Sequence, residues 1–166
     1  MELDLSRLRE MHPNLSLSTA LEYENRAAVG LARHGHASGT RLHVVIDDQP
    51  RQDRLHWREA PPSAHLHLDF NRVTEDAAEA VAMVLVHASR GWTILRRLQR
   101  REKGDWLLAD AHQHHIALKI SGVDGIDTGD RRLREKMQQV AQSKIRGLKA
   151  ACVVELTPPR SRLKSA

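Results

Sequence analysis

Residues 74 to 91 read TEDAAEAVAMVLVHASRG. Glu75 and Asp76 stand in the first turn, Gly91 stands at the end, and the run between is apolar nearly all round. Acids suit the positive end of a helix, Thr74 suits its N-cap, and glycine suits its exit. A helix with no polar face must be covered on all sides. This one is expected to lie buried against a sheet.

Strand signals follow at once. WTILRRLQR, DWLLADA and HIALKISG are short and rich in branched or aromatic residues. The stretch GDRRLREKMQQVAQSKIRG then returns to helical spacing. Leu133, Met137, Val140 and Ala141 form one stripe, and Arg131, Arg134, Glu135 and Gln138 face away. Thr128 or Asp130 can cap this helix, and Gly122, Gly125 and Gly129 suit the loop into it. AACVVEL is a last apolar strand. The order from residue 74 to 156 is therefore α-β-β-β-α-β.

The N-terminal half is more punctuated. A first stretch of fifteen residues is polar and expected to be loosely attached. A helix is expected from about Ser18, capped by that serine, with Gly35 and Gly39 at its exit. RLHVVID, RLHWREA and HLHLDF alternate like strands and are separated by turn residues around Pro50 and Pro61. They predict a small antiparallel meander. The fold class expected is α/β (α+β): a mixed central sheet with the α-β-β-β-α-β core, preceded by the helix and meander. The divisions are 1–72, 73–157 and a basic tail, 158–166.

Composition narrows the partners. The formal charge is +5, and aromatic residues make up only 3%. RRLQRREK, residues 96 to 103, holds five cations and one acid, and PPRSRLKSA adds three cations. Few aromatics argue against stacking on single-stranded bases, so nucleic-acid contact would fall on phosphates. Arg96, Arg97, Arg100, Arg101 and Lys103 are the candidates for it. Arg96 and Arg97 fall on opposite faces of their strand, which sets that strand at a sheet edge or projecting beyond it; a solvated, charge-guarded edge is the competing reading. The chain has no run of about 18 apolar residues and no apolar signal core at its start, so no membrane association is expected. Cys152 is the single cysteine. It fits a reducing cytoplasm and, within AACVVEL, a buried inert thiol.

On these residues the chain resembles the restriction-endonuclease-like, or PD-(D/E)xK, superfamily. In that family the second core strand brings an acid, and the third carries an acid, one residue, then a lysine. The spacing sets two side chains on one face of a strand. The resemblance implies Asp105 of GDWLLADA as the second-strand acid, with Asp110 as fallback, and Glu79 as the helix glutamate. On the third strand, IALKISG sets Lys119 at the acid position and Ser121 at the lysine position. A two-residue shift sets Ala117 and Lys119 there instead. Gln138, Gln139 and Gln142 match the polar residues of the later helix. Neither register supplies the third-strand acid.

The resemblance implies Mg²⁺ as cofactor if the core cuts, with Glu79 and Asp105 as its ligands. With the acid missing, it implies instead a nucleic-acid-associated protein with an impaired site, in bacterial genome defence or mobile-element biology. An active Mg²⁺-dependent nuclease and a protein-interaction or homo-oligomeric subunit are the alternatives. Lys119 could also be a structural lysine paired with Asp105 across the strands.

Two histidine clusters remain. His65, His67 and Asp69 would share one face of HLHLDF, where they could bind Zn²⁺ or make an exposed polar face. The polar face would extend through His43 and His56. HQHH, residues 112 to 115, suits a solvated turn between the second and third core strands.

Overall fold

A computed structural model describes residues 1–66, 68–124 and 128–166. Among the described residues, four α-helices accompany one mixed sheet of eight strands. The strands are β1 (Glu2–Asp4), β2 (Thr40–Ile46), β3 (Gln49–His56), β4 (Thr93–Arg97), β5 (Trp106–Ala109), β6 (His115–Val123), β7 (Leu148–Leu156) and β8 (Pro159–Ser165). The helices are α1 (Leu8–Met11), α2 (Leu17–Arg33), α3 (Phe70–Arg90) and α4 (Gly129–Ala141). Across the sheet the strands run β1-β3-β2-β8-β7-β6-β5-β4.

The α-β-β-β-α-β order expected from the sequence is realised as α3-β4-β5-β6-α4-β7. Strands β4, β5 and β6 form an antiparallel run, and β7 lies parallel to β6. A parallel neighbour needs a crossover, and α4 supplies it. Helix α3 is buried from Ala77 through Val86, as its all-round apolar run requires. Its packing on β6 is close: a Cβ on Gly122 would stand 2.7 Å from the Thr74 carbonyl oxygen, so that position has room only for hydrogen. Gly91 ends α3 in the left-handed region, φ 66°.

Several expectations are corrected. Asp69, not Thr74, caps α3 by accepting from the Asn71 amide at 2.9 Å, so the helix begins one turn earlier. Ser16, not Ser18, caps α2, accepting from the Thr19 amide at 3.1 Å. The first fifteen residues are anchored: β1 pairs with β3, and Leu3, Leu5 and Leu8 are fully buried. Their apolar side was hidden in sequence by the interleaved charges. The described residues of HLHLDF form no strand. Pro62–His65 make a 3₁₀ turn, His65 is exposed, and Asp69 is spent on the cap; His67 lies outside the described residues. The expected meander is thus a hairpin, β2–β3. The tail is strand β8, between β7 (antiparallel) and β2 (parallel). It alternates inward Leu163 with outward Arg160, Arg162 and Lys164, so it knits the N-terminal hairpin to the core in one sheet.

The two faces of the sheet differ. Helices α2 and α3 cover one face over the main core, which includes Leu42, Val44, Leu55, Leu108, Leu118 and Cys152. On the other face, α4 packs on β6, β7 and β8. Leu98, Leu107, Ala117 and Val140 make a small second core there. No helix among the described residues is long and apolar enough to cross a membrane.

Candidate functional site: a cationic cleft beside β6

The cleft lies between the end of β4 and the turn after it, Lys119 of β6 and the C-terminal end of α4. Its volume is about 630 Å³. Arg97, Arg100, Lys103 and Lys119 bring four cations to its lining, Asp105 brings one acid, Gln139 comes from α4 and Gln142 from its C-cap.

The chain builds this wall locally. Arg100–Glu102 form a 3₁₀ turn after β4, closed by a reciprocal cap between Gln99 and Glu102. Ser143, just past α4, donates to the Glu102 carbonyl at 2.6 Å and fastens the turn to the helix. Gly104 lets the backbone turn back into β5; a Cβ there would stand 2.5 Å from Leu98 Cδ1. The Asp105 amide donates to the Leu118 carbonyl at 2.8 Å, which fixes Asp105 beside β6.

Lys119 Nζ donates to Asp105 Oδ1 at 2.8 Å, and the Ile120 amide donates to Asp105 Oδ2 at 2.7 Å. Both carboxylate oxygens are therefore engaged. Lys119 shares its face of β6 with Ala117, which packs against Val140 of α4. The structural salt-bridge reading of Lys119 holds, and the same lysine still lines the cleft. Ser121 is two residues further on that face, half-buried and outside the lining. Lys136 of α4 is pushed below the usual lysine range by partial burial and then by the nearby charge of Lys119.

Glu79 does not join Asp105. Trp106 points to the α3 face, and its indole Nε1 donates to Glu79 Oε2 at 3.1 Å. The Tyr23 hydroxyl donates to the same oxygen at 2.6 Å, and Arg97 donates at 2.6 and 3.0 Å to the two oxygens. Glu79 is 8% exposed and fully engaged. Its charge and hydrogen bonds raise the Arg97 pKa in spite of desolvation, which acts the other way. Tyr23 is pushed upward by burial and then by Glu79. Arg97 also lies over the Trp106 ring at 4.8 Å. It is the link between the buried network on one face and the cleft on the other.

The remaining candidates separate. Arg96 is held in a two-pronged pair by Glu102, at 2.9 and 2.8 Å. That pair, with the Gln99 amide, lowers the Glu102 pKa to about 2. Arg96 is thus a clasp of the turn. Arg101 is exposed outside the lining. Asp110 stands at the far end of β5, about 16 Å of strand from Asp105. It caps the β5–β6 turn by accepting from the His112 and His114 amides at 2.8 and 2.9 Å. HQHH is that turn. Gln138 lies on the other flank of α4. Strand β4 is at the sheet edge, with Arg96 and Arg97 on opposite faces.

The donor set does not fit Mg²⁺. A hard cation needs several free oxygen ligands. Here the two candidate carboxylates lie on opposite faces of the sheet, each neutralised by its own cation. Among the described residues no group of three His, Cys, Asp or Glu is set to hold a metal ion. Sequence reasoning missed Tyr23 and Lys136. Tyr23 is the chain's single tyrosine, which was the available signal; nothing local marked Lys136.

Comparison with protein-family models, curated proteins and solved structures finds no match to this chain.

Proposed function

We propose that this chain is a nucleic-acid-binding protein with a nuclease-like core, whose cleft holds backbone phosphate by fixed cations in place of a metal. The observation that carries the reading is the charge of the cleft. Of the four cations that line it, Arg97 is paired with Glu79 and Lys119 with Asp105, which leaves the charge of Arg100 and Lys103 in excess. Arg100 and Lys103 are exposed and make no ion pair among the described residues. Gln139 and Gln142 add neutral donors. This set suits an oxyanion with several acceptor oxygens. The realised α3-β4-β5-β6-α4-β7 order supports the nuclease-like ancestry. Fold analogy alone suggests genome defence or mobile-element biology as the setting.

The test is fluorescence anisotropy with a labelled 20-base-pair duplex at low salt, with and without EDTA. Binding is expected to be independent of EDTA and to fall steeply with salt. Removing Arg100, Lys103 or Lys119 singly should each reduce the log–log salt slope by about 1. No binding at low salt, or an unchanged slope in the triple alanine variant, would overturn the reading.

A further inference from the structure

The face of the sheet that carries α4 is only half covered. Register places Arg162 of β8 opposite Val45, and Arg160 opposite His43. It then places His43 opposite Gln52, and Arg41 opposite Arg54. Arg162 bonds Asp130 of α4 at 2.8 Å. These outward residues of β8, β2 and β3 therefore share the α4 side of the sheet. Arg41, His43, Gln52 and Arg54 are exposed. Like charges directly across a strand pair are unfavourable, yet Arg41 and Arg54 stand opposite each other. Neither they nor Arg160 makes an ion pair among the described residues. Glu2, the register partner of Arg54, is engaged by His56.

Helix α4 thus stands as a ridge between two cationic ledges. On one flank is the cleft with Arg100, Lys103 and Lys119. On the other is the open sheet with Arg41, Arg54 and Arg160. The helix packs over β7, with lesser contact to β6 and β8. At about 4.8 Å per strand, β5 and β2 each lie about 10 Å from β7. The ridge has 13 residues, so it is about 20 Å long and about 10 Å across. Its acids are occupied: Asp130 by Arg162, and Glu135 by Arg131 and Arg132. Arg134 and Gln138 are exposed on its β8-side flank, beside Asp48 and Lys164.

We infer that α4 enters the major groove of duplex DNA, with the two ledges on the phosphate strands that border it. A groove about 12 Å wide admits one helix, and arginine and glutamine are side chains that reach base edges there. Charge complementarity selects this occupant: three unpaired arginines on one ledge and the cationic cleft on the other require a polyanion with two separated backbones. The inference rests on the nucleic-acid reading and adds the duplex, the groove and the second contact surface.

The test measures binding of one 20-base-pair duplex and of its single strand by wild type and three double variants. The cleft variant is Arg100→Ala/Lys119→Ala, the ledge variant Arg41→Ala/Arg54→Ala, and the helix variant Arg134→Ala/Gln138→Ala. Circular dichroism and thermal midpoints check that each is folded. Duplex is expected to bind more tightly than single strand. The ledge variant should bind about tenfold more weakly at low salt, and the helix variant should also weaken. Methyl green, a major-groove ligand, should displace the protein, and distamycin, a minor-groove ligand, should not. Cleft-dependent binding with ledge and helix variants like wild type would overturn the groove inference and leave the cleft reading standing. Equal or tighter binding of single strand, or displacement by distamycin alone, would overturn it likewise. No binding by wild type at low salt would overturn both.

Discussion

Lys119 Nζ lies 2.8 Å from Asp105 Oδ1, and the other oxygen of Asp105 accepts from the backbone of the residue after Lys119. One acid thus clips β5 to β6 and orients a lysine at the cleft. Asp105→Ala leaves the Ile120 amide without an acceptor and Lys119 without its partner. Lys119→Met leaves the amide bond in place. Urea unfolding should show Asp105→Ala losing about 1–3 kcal/mol and Lys119→Met less. Equal losses would mean that the backbone bond contributes nothing.

Glu79 anchors Tyr23, Arg97 and Trp106 to one another. Glu79→Ala strands the Tyr23 hydroxyl, the Trp106 indole and Arg97 together. Breaking a buried ion pair costs about 3–5 kcal/mol, and the Arg97 side chain is 49% exposed, so about 2–3 kcal/mol is expected. Tyr23→Phe removes one of four hydrogen bonds and should cost about 1 kcal/mol. Urea midpoints of the two variants check both values. A Glu79→Ala protein as stable as wild type would contradict the network.

His12 gives a pH signature. It is fully buried, its Nδ1 accepts from the Ile94 amide at 3.1 Å, and its Nε2 donates to the Met83 carbonyl at 3.0 Å. Only the neutral ring satisfies both bonds. Burial lowers its pKa to about 4. The folded state then resists a proton that the unfolded state takes up near pH 6.5. Stability from this group is complete above pH 6.5 and is lost as pH falls toward 4, by about 3 kcal/mol in all. NMR titration of the His12 ring should give a midpoint near 4; a midpoint near 6.5 would contradict this packing.

Cys152 should be silent in the folded protein. Burial in β7 pushes its thiol up to about 12. A thiol reagent at pH 8 should label it only after denaturation. Rapid labelling without denaturant would show that β7 is not the interior strand described above.

The α-β-β-β-α-β order was legible because each core element has one dominant period or a wholly apolar run. Asp105 and Lys119 were legible because a lysine inside a strand has few acids within reach. Three features were not. The anchoring of Leu3, Leu5 and Leu8 depends on β3, some fifty residues away. Strand β8 hides among cations because its outward face is open and only alternate residues are buried. HLHLDF has strand alternation, but Pro61, Pro62 and the cap at Asp69 override it. The separation of Glu79 from Asp105 was also invisible, since it depends on which face of β5 Trp106 takes.

On the proposed reading, Arg100, Lys103 and Lys119 hold backbone phosphate in this cleft without a metal and without cutting it. The most direct measurement is duplex binding by wild type and Lys119→Ala across a salt series, in EDTA and in Mg²⁺, with the DNA recovered and sized afterward. The account predicts equal affinity in EDTA and Mg²⁺, a shallower salt slope for Lys119→Ala, and intact DNA. Cleavage in Mg²⁺, or binding that disappears in EDTA, would contradict it.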